Sequence, residues 1–338
     1  MQTEYQICRT CVMDNTAVEF RHTKDGCIFC DIARKSLLEV SKLGKFKIPK
    51  GEKYDCLIGL SGGVDSSYAL MKLIDLGYRP LCFSVDTGWN DPIADENIMK
   101  LVEGLKVPFF RYVIDIPKFK KLQATFLQSG TKNIEITTDH ILLAVTMEVA
   151  REYGIKTIIS GGNVATESIM PESWGYQARD LAHIKDIYKT FAHKKLSGLP
   201  TYSLLQFNID KWIRKIKTIY ILDYFDYDRE QAIKELEERF GFRRTGAKHE
   251  ENVWTKWFQN FYLFEKFGID KRKAHLSSLV VSGQLTRSEA LEVLLTNPEY
   301  PKLGIEERIL KYPTRDYRKY KTNEKLFNFI SYIIKKLR

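Results

Sequence analysis

Ser61-Gly62-Gly63-Val64-Asp65-Ser66-Ser67 follows an apolar run, Tyr54-Asp-Cys-Leu-Ile-Gly-Leu60, and precedes an amphipathic one, Tyr68-Ala-Leu-Met-Lys-Leu-Ile74. The order reads as strand, glycine-rich turn and helix. Such a turn serves where backbone N–H groups must approach an anion at a helix N-terminus, because glycines clear the way and Ser66 and Ser67 can add hydroxyls. It is not the Walker pattern, since no lysine follows the second glycine. A plain Asp/Gly/Ser turn is the alternative reading of the same residues.

The rest of the chain bounds what such a turn can serve. A length of 338 residues with 44% hydrophobic content allows a sizeable core and two or three domains. No run of about 18 apolar residues appears, and the start lacks a basic-then-apolar signal, so a membrane span and secretion are disfavoured and the cytoplasm is expected. The net charge of +10 is concentrated: residues 301–338 hold eleven Lys/Arg against four Asp/Glu. There the basic residues alternate with Tyr, Phe and Ile, as in Tyr317-Arg-Lys-Tyr320 and Phe329–Ile334, which predicts an amphipathic helix end with a solvated basic face. An anionic partner or polyphosphate ligand is the second reading, and nucleic acid the third.

All six cysteines precede residue 83. Cys8-Arg-Thr-Cys11 and Cys27-Ile-Phe-Cys30 are CxxC pairs fifteen residues apart, a spacing at which two tight turns present four thiolates to one tetrahedral Zn²⁺. Two disulfides or an iron–sulfur site are the rivals; a cytoplasmic setting disfavours the disulfides. So small a module buries little, and the metal would supply much of its folding free energy. Cys56 and Cys82 lie in apolar strand-like runs and read as small buried hydrophobes.

Beyond a Pro/Gly-containing basic linker, Lys45–Lys53, strand and helix patterns alternate. Strands are expected over Arg79–Asp86, Pro108–Ile114 and Thr157–Ser160, with helices near Asp95–Leu105 and Thr138–Tyr153, the arrangement of a parallel sheet with right-handed crossovers. Ligands of such sheets collect at the carboxyl ends of strands. Beyond Thr190 the pattern is mostly helical, with a last strand over Lys217–Leu222 and a helix Arg229–Phe240 between a capping Asp228 and a terminating Gly241. Lys248, His249, Glu250 and Glu251 fall together in a loop suited to anion binding or proton transfer, or to a solvated charged turn. Asp270-Lys-Arg-Lys-Ala-His275 is a second basic cluster, suited to a sugar-nucleotide diphosphate or a helix start.

SGGVDSS resembles the PP-loop of ATP pyrophosphatases, which split ATP into AMP and pyrophosphate. The resemblance implies a Rossmann-like α/β sheet of the adenine nucleotide α-hydrolase type over residues 46–225, after a zinc module at 1–45 and before a mostly helical substrate or partner region at 226–338. It implies an ATP site of Ser61, Gly62, Gly63, Val64, Asp65, Ser66 and Ser67, with Ser84, Val85 and Asp86 near adenine and Gly161, Gly162 and Asn163 near ribose or the α-phosphate. Asp65 is a candidate Mg²⁺ ligand and Glu167 a second, because departing pyrophosphate needs its charge neutralised. Helix capping by Asp65, turn capping by Asp86 and a surface position for Glu167 are the plain alternatives. Thiolating relatives carry later cysteines, and this chain has none after Cys82, which argues against sulfur transfer.

Together with the CxxC module, Asp86-Thr-Gly-Trp-Asn90, Gly161-Gly-Asn163, Lys248-His249-Glu250 and Phe264–Ser277, the chain resembles N-acetyl sugar amidotransferases of surface-polysaccharide (LPS O-antigen) and flagellar glycan biosynthesis. Asp86-Thr-Gly stands where the family has Asp-Asn-Gly, and Asn252 where it has serine. The resemblance implies adenylylation of the acetamido oxygen of a nucleotide-activated sugar, then displacement of AMP by ammonia, with Asp65, Lys248 and His249 in catalytic roles. Position 2 is glutamine and no cysteine sits in a glutaminase-like elbow, so ammonia is expected from a separate glutaminase resembling that of histidine biosynthesis, with a cyclase-like channel subunit. A tRNA-modifying PP-loop enzyme and a non-catalytic zinc-bearing scaffold are the rival functions.

Overall fold

The computed structural model describes residues 4–246, 248–327 and 329. Gln2, Ala247 and most of the helix end expected over 329–334 lie outside the described residues. A two-stranded hairpin, β1 (His22–Thr23) and β2 (Gly26–Cys27), leads into α1 (Ile28–Val40). The sheet of the molecule follows: β3 (Cys56–Gly59), β4 (Pro80–Asp86), β5 (Phe109–Val113), β6 (Thr157–Ser160) and β7 (Lys217–Tyr220), all parallel in the order β5-β4-β3-β6-β7.

Both faces of this sheet are covered, which is why its central strands read as continuous apolar runs. Leu57 and Ile158 join the core on one face, while Cys56, Ile58 and Ile159 join the core on the other. Cys82, opposite Ile58, joins that second core as a buried thiol. The connections are α2 (Val64–Asp75), α3 (Pro92–Leu105), α4 (Ile116–Ser129), α5 (Ile136–Glu152), α6 (Val164–Glu167), α7 (Leu181–Ala192) and α8 (Leu204–Asn208). Of these, α4 was unanticipated, although Asp115 caps it, Pro117 sits in its first turn and Gly130 ends it in the left-handed conformation. The helix α9 (Arg229–Phe240) runs between Asp228, whose carboxylate accepts the Gln231 N–H at 2.7 Å, and Gly241 with φ 63°, as the capping residues predict.

After α9 come α10 (Val253–Trp257), a π-turned continuation Phe258–Leu263, α11 (Phe264–Phe267), α12 (Arg272–Val281), α13 (Arg287–Val293) and α14 (Glu306–Lys311). The basic tail departs from expectation. Residues 312–323 form an extended strap with a single 3₁₀ turn, Tyr317–Lys319, because Pro313 ends α14. The strap is not a free basic face: Tyr317 stacks on Tyr176 with centroids 4.3 Å apart, and the Arg315 N–H donates to the Gly130 carbonyl at 2.9 Å. No helix among the described residues is long and apolar enough to cross a membrane.

The cysteine module docks on α12 and α13. Val12 N–H donates to Ser277 Oγ at 3.1 Å, Arg287 donates to the carbonyls of Cys8 (2.9 Å) and Cys11 (3.1 Å), and Lys273 pairs with the buried Asp14. Thus the N-terminal residues are a buttress for the helix that carries His275.

Candidate active site

Strand order reverses between β3 and β6, and the loops that leave these two strands meet there. A Cβ on Gly161 would lie 2.7 Å from the Asp65 carbonyl carbon, so the second loop approaches the first as closely as a glycine permits. Gly62 has φ 78° and would place a Cβ 2.2 Å from the Ala94 carbonyl oxygen; no other residue fits. The N-cap of α2 is Gly63, which makes no side-chain cap. The first amides of α2 therefore lack side-chain acceptors and open onto a cleft of about 1330 Å³. Ser66 is committed to the turn, its hydroxyl 3.1 Å from Ser61 Oγ and 3.3 Å from the Gly63 carbonyl, whereas the buried Ser67 Oγ has no partner.

Three distant segments place charge at this turn. The Lys248 ammonium lies 2.5 Å from Asp65, 3.0 Å from Glu167 and 2.5 Å from Thr166 Oγ1, while His249 Nε2 is 3.2 Å from Glu167. The Tyr227 hydroxyl donates to the other Asp65 oxygen. Burial alone would pull the Lys248 ammonium down, but Asp65 and Glu167 outweigh it and the pKa is raised. Burial likewise opposes ionisation of Glu167, yet His249 and Lys248 hold it far below the usual carboxylate range. The Tyr227 phenol is driven up, first by burial and then by Asp65, so it stays a donor. The group is a fixed chain of charges.

The structure gathers Ser61, Gly63, Val64, Asp65, Ser66, Ser84, Val85, Gly161, Gly162, Glu167, Lys248 and His249 around the cleft. Other predicted residues stand behind it. Gly62 shapes the turn, Ser67 is buried in α2 with its hydroxyl unpartnered, Asp86 accepts the Gly88 N–H at 2.8 Å as a turn cap, and Asn163 caps α6 through the Thr166 N–H at 2.9 Å. Asn252 caps α10 through the Thr255 N–H at 3.0 Å, a task serine performs equally well, which accounts for that departure from the family pattern. Glu251 of the flagged charged loop lies against Gly63, whereas Tyr227 and Thr166 were missed. Only packing brings them to the loop.

The cleft has a second end. Glu135, Thr138 and Asp139 at the start of α5 face Lys271, His275, Thr255 and Gln259 across it. Thr255 donates to Glu135 Oε1 at 2.8 Å, but Glu135 Oε2 is buried and unpartnered. Burial and then the Asp139 charge push the Glu135 carboxyl up to about 8. Surrounding protein raises Asp139 as well, although solvent reaches its side chain from the cleft. Burial lowers Lys271, and burial, ahead of the neighbouring His249, Lys271 and Lys248, lowers His275 well below the ordinary imidazole range.

The four module thiols are fully buried, with all sulfurs within 4.8 Å of one another, a group that could bind a metal. Cys8–Cys30 and Cys27–Cys30 are 3.7 Å apart and Cys11–Cys27 3.8 Å. Four sulfurs about 2.3 Å from one tetrahedral zinc would be separated by about 3.8 Å, so the donor set fits such an ion. A four-iron cluster puts each thiolate on a different iron and spaces them further apart.

Residues 251–324 match the family described as LPS biosynthesis protein WbpG-like, C-terminal domain. That segment holds Thr255, Gln259, Lys271 and His275, so the family reading of the sequence stands on the second end of the cleft. No curated protein matches the chain. Among solved structures it is similar to a U34-tRNA thiolase, NcsA, from Methanococcus maripaludis with its [4Fe-4S] cluster (14% identity, 91% of this chain, 97% of that one, TM-score 0.37). It is similar also to an NMN synthetase from Francisella tularensis (13%, 76% and 93%, TM-score 0.36). A third is a predicted subunit of tRNA methyltransferase from Methanocaldococcus jannaschii (15%, 54% and 74%, TM-score 0.32). Likenesses at that level carry no argument about activity.

Proposed function

We propose, from the WbpG-like match and the PP-loop at a sheet switch point, that this chain is an ATP-dependent amidotransferase of the PP-loop kind. It adenylylates the acetamido oxygen of a nucleotide-activated N-acetyl sugar for LPS-type surface polysaccharide, and ammonia then displaces AMP to leave an acetamidino group. The carrying observation is the Lys248 bridge between Asp65 on the loop and Glu167 beyond β6, at one end of a cleft whose other end is charged and unsaturated.

An amide carbonyl is a weak electrophile with no good leaving group; adenylylation supplies one. The amides at the start of α2 are positioned for the phosphates, and the Lys248 ammonium is held ready to neutralise charge that grows on departing pyrophosphate. Asp65 and Glu167 are the oxygen donors that would hold Mg²⁺, which supplies further positive charge at the phosphates. Tyr227 and Thr166 keep Asp65 and Lys248 in register with the loop. In the module, Cys8, Cys11, Cys27 and Cys30 would hold Zn²⁺, with a structural effect transmitted through Ser277 and Arg287. A separate glutaminase delivers the ammonia in the cytoplasm.

The test is incubation with ATP, Mg²⁺, ammonium and a panel of UDP- and CMP-linked acetamido sugars, followed by high-resolution mass spectrometry. Replacement of the acetamido oxygen by NH, with AMP and pyrophosphate released, is expected. No conversion of any sugar, alongside modification of tRNA, would overturn the proposal.

A further inference from the structure

The far end of the cleft is built for a group that both donates and accepts. Glu135 Oε2 is an acceptor without a donor, and Gln259 Nε2 is a donor without an acceptor; both residues line the cleft and are 7% and 6% exposed. The buried Thr138 hydroxyl lies close enough to the Glu135 carboxyl to lower it slightly, yet makes no full hydrogen bond to it. Among the described residues no ion pair joins Glu135, Asp139 or Lys271, in contrast to the closed network at Asp65. Leaving buried polar atoms unpaired is costly, and a ligand that completes them recovers that cost. A secondary amide offers one N–H and one carbonyl, the complement of Glu135 and Gln259, and Leu142, Phe258 and Leu263 supply apolar wall for a methyl group.

We propose that Glu135 and Asp139 form the nitrogen end of the cleft: they hold the acetamido N–H, take the proton released when ammonia adds, and pair with the amidinium product. The inference rests on the reading of the chain as an acetamido-activating synthetase and names the residues of its second step. Ammonia forms a C–N bond to the protonated O-adenylyl imidate, giving a tetrahedral carbon that bears –NH₃⁺. One proton passes to whichever carboxylate of the Glu135–Asp139 pair is ionised beside the cationic imidate. The C–O bond to AMP then breaks, AMP leaves with the electron pair, and the nitrogen lone pair closes the amidinium. That cation carries N–H donors in a plane, the geometry in which carboxylates bind guanidinium groups bidentately. The neutral substrate lacks this charge, so a paired-carboxylate end favours product formation over return to amide.

Two arms test this. In the first, acetamidinium chloride is titrated into the full chain and followed by its methyl NMR signal, with acetamide as the uncharged control. Saturable binding, at least tenfold weaker in Glu135→Gln and in Asp139→Asn, is expected; equal binding by wild type and both variants would overturn the proposal, as would no binding by wild type. In the second arm, acceptor-dependent exchange of pyrophosphate into ATP is compared with amidine formation. Glu135→Gln should lower the ratio of amidine formed to exchange at least tenfold, since loss of a general base costs about 10²–10⁴ in its own step. Equal loss of both activities would assign Glu135 to acceptor binding or folding alone and overturn its role as base. A wild-type chain that converts no sugar would sink the functional reading instead, and the acetamidinium arm then decides the carboxylate pair by itself.

Discussion

The cysteine module and the Asp65–Lys248–Glu167 network are both closed polar groups, but they are closed by different means. The four thiols come from one short local segment, Cys8–Cys30, and are drawn together by two turns whose amides point at sulfur, as Thr10 N–H does to Cys8 Sγ at 3.3 Å. The charged network takes one residue from each of three segments and pairs them within about the length of a hydrogen bond. An ion held by the thiol group would carry stability, since a small module with little core gains much of its folding free energy that way. On the proposed function, the charged group carries chemistry on a scaffold that folds for other reasons.

Removal of the metal should therefore have the largest effect. Cys27→Ser, or a chelator, is expected to unfold residues 4–40 and to loosen α12 and α13 through the lost contacts of Ser277 and Arg287, on a scale set by the roughly 10–16 kcal/mol of structural zinc binding in isolated fingers. Hydrogen exchange over α12 reads it; unchanged protection there would break the link between module and cleft. Lys248→Met should do the reverse: ATP cleavage falls by about 10²–10³, roughly 3–4 kcal/mol, while the denaturation midpoint falls far less than on metal loss, by the cost of leaving Asp65 and Glu167 without their shared cation. A variant that unfolds would place Lys248 in the same class as the cysteines.

The far end of the cleft gives a pH-dependent contrast. Burial raises the folded-state pKa of Glu135 from its ordinary 4.5 to about 8. A raised carboxyl binds its proton more tightly in the folded state, so its contribution to stability is complete below about pH 4.5 and is lost as the pH climbs through about 8. Glu135→Gln cannot ionise; its stability relative to wild type should rise across that window, by a few kcal/mol at most, in thermal melts at pH 5 and pH 8. A constant difference would show that Glu135 is not strained. Smallest is Ser277→Ala, which strips the acceptor from the buried Val12 N–H at a cost of about 1–3 kcal/mol, seen as faster exchange at the module's base with catalysis little altered.

How much could be read beforehand follows from how local each feature is. The strands before SGGVDSS and at 79–86, the caps of α9 and the four cysteines were legible because each depends on neighbours in sequence. The strap at 312–323 was misread as helix because alternating basic and aromatic residues look amphipathic, while its packing on Tyr176 depends on a distant segment. Lys248 and His249 could be flagged as candidates by type, but nothing in the sequence names Asp65 and Glu167 as their partners. Glu135 and Asp139 gave no signal, because a carboxylate at a helix start is ordinarily solvated.

By itself the sequence determined a strand–turn–helix that exposes backbone amides, a four-thiol group with metal-ligand spacing and an alternating α/β order. These follow from backbone sterics, ligand spacing and periodicity, all short-range properties. Only the tertiary structure decided that Lys248 bridges the loop to Glu167, that the metal module buttresses α12, and that Glu135 faces Gln259 with a polar atom to spare. Burial and charge proximity set those outcomes, and both exist only once segments far apart in the chain have closed around one cleft.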